Sequence, residues 1–316
     1  MKTVDKFGNI IGACEAMREI YEQIERISSL EIPVLITGES GTGKELVAQT
    51  IHEHSKRYSG PFIPLNMGAI SPDLVESELF GHERGSFTGA NALKKGKFEL
   101  GRNGSIFLDE ITTMEPKVQV SLLRVLESNQ FQRIGGSQFI RTNSRIISAT
   151  NDDIFGAIKK GTFREDLFYR LNVFSINLPP LRKRKEDILL LAEFFLKKYA
   201  DEFGKEIASF TPEAQDALLY YPWPGNVREL ENAVIKALIM SNDSKPLSED
   251  YLPKKTNGNG GSSSFTIEVG TSFEDMEKRL LKETLRQMKG NKSKTAQVLH
   301  ISRKALYNKI HYHKIE

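Results

Sequence analysis

Over the first 180 residues, short apolar runs alternate with longer stretches whose apolar side chains recur every three or four positions. IPVLITG, PFIPLN, GSIFLDE and RIISATN are the short runs and read as strands, whereas KELVAQTIHEHS and PKVQVSLLRVLESN carry helical spacing. Such alternation predicts an α/β fold, a parallel sheet covered by helices on both faces. Beyond Pro179-Pro180 the strand signals stop. Helical spacing continues over 187–203, 212–220 and 227–240, which predicts a small helical domain. The stretch 256–264 contains NGNGGSSS, flexible-linker chemistry with little apolar surface to bury. The expected division is an α/β domain at 1–180, a helical domain at 181–245, a linker at 246–271 and a small all-α domain at 272–316.

A length of 316 residues suits two or three domains, and 39% hydrophobic with 27% charged residues is globular. No apolar run approaches a membrane span, and MKTVDKFGNI lacks the apolar core of a secretory signal. Cys14 stands alone, which excludes an internal disulfide; a reducing cytoplasm and no membrane partner are expected. The net charge of +3 hides an asymmetry: residues 272–316 hold eleven Lys and Arg against five Asp and Glu, or +6, leaving −3 for the rest. A basic tail on a mildly acidic body predicts a polyanionic partner for the tail alone.

VLITGESGTGKELVAQTIH sets Gly38, Glu39, Ser40, Gly41, Thr42, Gly43 and Lys44 between a strand-like run and a helix, the context that G-x-x-x-x-G-K requires. Glycines allow a tight turn whose N–H groups face phosphate, the helix N-terminus adds partial positive charge, and Lys44 reaches the β- and γ-phosphates. Glu45 stands where Ser or Thr usually ligates Mg²⁺, so the metal needs another protein contact. About 65 residues downstream, the strand at 105–108 ends in Asp109 and Glu110. Behind a phosphate loop this pair reads as the hydrolytic site of an ATPase, Asp109 holding a magnesium-bound water and Glu110 activating the attacking water. Asn66 closes PFIPLN and has two readings: an amide that restrains Glu110, or a turn former, the commoner use of Asn at a strand end. Thr150 and Asn151 end the fourth strand and suit sensing of the γ-phosphate.

FREDLFYRLNV carries Arg164 and Arg170 on an apolar-anchored helix. Arginines so presented act as fingers worth roughly 10³–10⁵ in rate, or else pair with Glu165 or Asp166. Six residues apart they do not share a helix face, so separate tasks are expected. Arg228 follows the Trp-Pro-Gly corner of WPGNVREL and is placed to fold back on the nucleotide. FGHERGSFTGA, residues 80–90, has neither helical nor strand period and predicts a mobile loop with an aromatic tip, Phe87. Docking of Phe87 on a partner and folding onto its own domain are equally open on these residues alone.

The final 45 residues read as helices separated by short turns. Leu280, Leu281, Leu285 and Met288 form a stripe suited to helix pairing, and Gly290-Asn291 ends that helix. Helices at 294–299 and 303–312 flank a turn at 300–302, the spacing of a helix-turn-helix whose last helix enters the DNA major groove. Ala296, Leu299, Ile301, Ala305, Leu306 and Ile310 are expected in its core; Ser302, Arg303, Lys304, Tyr307, Asn308 and Lys309 are the candidate DNA contacts.

GESGTGKE, ELFGHERGSFTGA, FLDE, FREDLFYRLNV and WPGNVREL occur in that order. Together, over about 10–240, they closely resemble the AAA+ domain of bacterial sigma-54-dependent transcription activators, and the tail resembles a Fis-type helix-turn-helix. The resemblance implies an AAA+ sheet domain with an α-helical lid, self-association from dimer to hexameric ring, and ATP hydrolysis that remodels sigma-54 RNA polymerase holoenzyme to open promoters. It implies enhancer DNA as the ligand of the tail. The family's GAFTGA loop corresponds to Gly85, Ser86, Phe87, Thr88, Gly89 and Ala90, with Ser86 in place of alanine, and implies contact with sigma-54. Glu45 matches the family's phosphate loop. Asn66 becomes the switch on Glu110, Arg164 and Arg170 reach the neighbouring subunit's ATP, Arg228 is the second sensor, and 132–143 forms a second pore-facing loop. A DNA-binding regulator that does not remodel sigma-54 and another kind of ring ATPase compete with this reading; retention of Phe87-Thr88 argues against the regulator, and FGHERGSFTGA with the Fis-like tail argues against the other ATPase. With no sensory domain before Ile10, regulation in trans or a longer parent chain is expected.

Overall fold

Five parallel strands, in the order Phe174–Asn177, Val34–Thr37, Arg145–Thr150, Ser105–Asp109 and Phe62–Asn66, form the central sheet of the computed structural model. The structure describes residues 6–206, 209–241, 246–253, 273–288, 290–299 and 301–313. Alternate strand residues feed opposite faces, as the two-residue period demands. Ile36, Phe107 and Ile147 meet Met17, Ile24 and Ile51 of the helices Glu15–Ser28 and Lys44–Glu53. Leu35, Ile106 and Leu108 meet Leu79, Leu122 and Leu167 of Pro72–Phe80, Pro116–Ser128 and Glu165–Leu171 on the other face. The strand Phe174–Asn177 was not expected: FSIN is short, and Ser175 and Asn177 break its apolar run. At the opposite edge, Pro64 is tolerated because only one side of that strand is paired.

The register places Thr37 opposite Thr150 and Asn177, and Asn66 opposite Asp109. Polar side chains therefore collect at the carboxyl ends of the strands, the edge at which open α/β sheets bind ligands.

Helices Glu186–Phe203, Pro212–Tyr220 and Asn226–Met240 build a second core. Its largest member, Trp223, is fully buried at φ +49°. That left-handed conformation costs about 1–2 kcal/mol, which burial of the indole, worth about 2–3 kcal/mol, offsets. The indole N–H also donates to Leu218 O at 2.8 Å. Residues 246–253, expected as linker, instead pack Leu247 and Leu252 into this core. The expected linker centre, 256–264, lies outside the described residues, as does His300.

The chain divides into two compact units, Met1–Lys254 and Lys255–Glu316, so the sheet and the helical part belong to one unit. In the second, Phe273–Gln287, Lys292–Val298 and Arg303–Tyr312 close on Leu281, Ala296 and Leu306, with Leu299, Ile301 and Ile310 packed around them. Leu280 of the expected stripe is exposed rather than packed. No described helix is long and apolar enough to cross a membrane.

Candidate functional site

The glycine-rich loop runs from Thr37, the last strand residue, into the helix Lys44–Glu53 through Gly43 at φ +102°. Lys44 is buried, and its ammonium donates to Gly38 O at 3.0 Å and Glu39 O at 3.2 Å. Burial pushes this lysine below its ordinary pKa; the nearby charges of Asp109 and Glu110 oppose that, while Arg228 adds to it. The parallel register sets the ends of Val34–Thr37 and Ser105–Asp109 on one edge of the sheet, and Val227 N–H donates to Gly41 O at 2.9 Å, so loop, strand ends and helical domain meet there. Glu45 is exposed in the first helical turn.

Asp109 Oδ1 accepts the N–H of Glu110 at 2.9 Å, and Glu110 itself is left-handed at φ +56°. The twist turns its carboxylate onto Gly68, where a β-carbon would collide with Oε2. Asn66 Oδ1 accepts the N–H of Ala69 at 3.0 Å and so caps the turn Met67–Ala69. Among the described residues Asn66 and Glu110 share no hydrogen bond; the turn-forming reading of Asn66 is the one this conformation displays. Thr150 is buried, bonds the Thr112 hydroxyl at 3.2 Å and accepts from Asp152 N at 3.1 Å, whereas Asn151 is exposed.

A cavity of about 90 Å³ adjoins the loop, lined by Ile11, Leu46, Leu178, Leu191, Phe195 and Val227 among others. Its walls are mostly apolar and lie next to Thr42 and Gly43 of the loop. Sequence reasoning missed this pocket, because its lining is drawn from segments far apart in the chain.

Arg164 is the residue before the helix Glu165–Leu171, not on it, and its guanidinium grips Asp166 at 2.6 and 2.9 Å. That contact holds the Asp166 carboxyl below its usual range. Arg170 lies exposed on the helix.

Residues 83–93 cap a hairpin in which Gly81–His82 pairs with Lys94–Lys95. The expected mobile loop is a closed turn: Gly85 N–H donates to Ala90 O at 2.8 Å, and Ala90 N–H to Phe87 O at 3.0 Å. Phe87 is 38% exposed yet leans edge-on over His82 at 4.9 Å, and the Ser77 hydroxyl holds that imidazole at 2.7 Å. The second expected loop lies in another hairpin, Gln130–Phe131 against Ile140–Arg141. Arg133 joins the two, bridging Glu83 and Glu99 at 2.8 Å each.

In the second unit, Ser302 caps its helix by accepting from Ala305 N at 3.1 Å. Arg303, Lys304 and Asn308 are exposed; Tyr307 is exposed with Lys292 Nζ 4.9 Å above its ring. Lys309 is engaged by Glu277 of the first helix.

The Sigma-54 interaction domain family matches residues 10–177, more than half of the chain. The chain belongs to the sigma-54-dependent transcription activators. The AAA+ ATPase lid domain matches 182–266, and the bacterial regulatory protein Fis family matches 272–312. The activator is 45% identical to the regulatory protein AtoC of Escherichia coli (strain K12), covering 100% of this chain and 70% of AtoC. It is 42% identical to the nitrogen fixation protein AnfA of Azotobacter vinelandii, covering 95% of this chain and 56% of AnfA. The crystal structure of NtrX from Brucella abortus in complex with ADP is 35% identical with TM-score 0.74, covering 97% of this chain and 69% of NtrX. This activator is thus an AAA+ nucleotide-binding ATPase that acts with sigma-54 and carries a Fis-type DNA-binding unit.

Proposed function

We propose that the activator cleaves ATP, with Mg²⁺, at the carboxyl edge of its sheet and exports the energy through the Phe87 loop to sigma-54 RNA polymerase holoenzyme. The observation that carries this is the gathering of Lys44 in the glycine-rich loop, Asp109 and Glu110 at the same edge of the sheet, and Arg228, whose N–H reaches Gly41 O at 3.3 Å. Magnesium, when bound, screens the phosphate charges. Gly38, Glu39, Ser40, Gly41, Thr42, Gly43 and Lys44 form the phosphate cradle, with Glu45 opening its helix. Asp109 holds the metal through water; Glu110 orients the attacking water and takes its proton. Asn66 restrains Glu110 in one nucleotide state, and Asn151 and Arg228 read the terminal phosphate.

Arg164 and Arg170 serve the site of a neighbouring copy, which requires a dimer and then a hexameric ring. Exposed arginines beside the exposed aromatics Phe155 and Tyr169 support such a seam. Gly85, Ser86, Phe87, Thr88, Gly89 and Ala90 contact sigma-54; Ser302, Arg303, Lys304, Tyr307 and Asn308 face enhancer DNA in the cytoplasm, with Lys309 held back by Glu277. The proposed functional division is 1–180 for the ATPase sheet domain, 181–253 for the helical lid with Leu247 and Leu252 in its core, and 272–316 for the DNA-binding unit, joined by 254–271.

The test measures ATP turnover together with open-complex formation by sigma-54 holoenzyme. Hydrolysis without promoter opening would reject the reading. Mixing Lys44→Ala with Arg170→Ala protomers tests the seam, since only a shared site regains hydrolysis in the mixture.

A further inference from the structure

The helical domain grips the outside of the phosphate loop one residue at a time. Arg182 clasps the Glu39 carboxylate at 2.5 and 2.7 Å, and this contact first, then Asn226, holds that carboxyl down at about 2. Asn226 Nδ2 donates to Ser40 O at 2.9 Å and to Glu39 Oε2 at 3.2 Å. Its Oδ1 accepts the N–H of Leu181 at 2.8 Å. Val227 N–H donates to Gly41 O at 2.9 Å, and Arg184 to Thr42 O at 3.2 Å. Gly41 sits so close to Gly225 O that a β-carbon there would collide with it.

Asn226 is fully buried and left-handed at φ +54°, a conformation that Asn and Asp tolerate better than other side-chain-bearing residues. A trans peptide points its C=O and its N–H in opposite directions. Drawing the Ser40 carbonyl outward therefore turns the Gly41 N–H inward, toward the phosphate cradle. Two residues further on, Arg228 lies in the first turn of the same helix and its charge already bears on Lys44.

We propose that Asn226, together with Glu39, is a positioning residue: one amide that sets the helical domain against the phosphate loop, aims its N–H groups inward and brings Arg228 to the phosphates. This rests on the reading of the loop as a nucleotide site. Asn226→Asp is the discriminating variant. It keeps size, left-handed tolerance and the acceptor for Leu181, but removes both donors and sets a carboxylate against Glu39.

ADP affinity by calorimetry, measured where the variant is still folded, is expected to fall roughly tenfold or more in N226D, and KM for ATP to rise. The thermal midpoint is expected to fall alongside, because the new carboxylate is buried beside Glu39. The double variant N226D/E39Q, relieved of the charge conflict, is expected to recover part of the affinity. Glu39→Gln alone, a near-isosteric change on a partly buried loop residue, is expected to weaken ADP binding severalfold. Wild-type affinity in both N226D and E39Q, or a double variant no better than N226D, overturns the assignment. Absence of ADP binding by the wild-type chain would instead overturn the nucleotide-site reading beneath it.

Discussion

Gly68 leaves the space that the carboxylate of Glu110 occupies: a β-carbon there would strike Glu110 Oε2 and sit 3.4 Å from Asn66 Oδ1. Three residues from two neighbouring strand ends thus fix where the proposed base rests. Gly68→Ala is expected to displace Glu110 and lower turnover by roughly 10²-fold or more, the scale of general-base catalysis, with ADP affinity retained. Steady-state ATPase assays beside ADP titrations check this; equal loss of affinity would mean that the cradle itself had been disturbed.

Phe87 rests on His82 while 38% of it remains open, so it can leave its seat without unmaking a core. Phe87→Ala is expected to hydrolyse ATP at the wild-type rate and to fail in open-complex formation. Simultaneous loss of both activities would contradict a division of labour between loop and nucleotide site.

His52 is buried, with Nδ1 2.9 Å from the Ser105 hydroxyl and its ring 5.4 Å from Phe62. Burial pushes its pKa below the ordinary 6.5. The unfolded chain then binds the proton more readily, so stability is fully present above pH 6.5 and declines as pH falls through the folded-state value, by at most about 1.4 kcal/mol per pH unit. Denaturant midpoints between pH 5 and 8 are expected to show this decline in the wild type and a flatter profile in His52→Gln. Parallel profiles would remove His52 as the cause.

What the sequence disclosed follows the range of each interaction. The strand at Val34–Thr37 was legible because its uninterrupted Val-Leu-Ile run reports burial, and that at Arg145–Thr150 because of its Ile146-Ile147 pair. Lys44, Asp109 and Glu110 were legible because their chemistry is local to short motifs. The Glu39–Arg182 clasp spans 143 positions and the Asn226–Glu39 contact 187, and nothing local marks either pair. Phe174–Asn177 escaped for the opposite reason: four residues with two polar side chains carry too little pattern to stand out. The 80–90 loop lacked periodicity because its order comes from Gly85 at φ +81° and Gly89 at φ +107°, which close a turn rather than extend an element.

In the DNA-binding unit, charge alone does not rank the contacts. Arg303 and Lys304 are exposed at the start of their helix, but the Lys309 ammonium is already held by Glu277, whose carboxyl His313 and Lys309 keep below its usual range. A phosphate contact that is lost lowers the slope of log affinity against log salt by about 1. Arg303→Ala is expected to show that change. Lys309→Ala is expected to alter the slope less and to loosen the packing between Phe273–Gln287 and Arg303–Tyr312 instead. Glu277→Gln, by freeing Lys309, is expected to strengthen DNA binding and steepen its salt dependence. Fluorescence anisotropy with duplex DNA across a salt series checks all three, and equal slopes for the Arg303 and Lys309 variants would show that Glu277 does not withhold Lys309 from the phosphates.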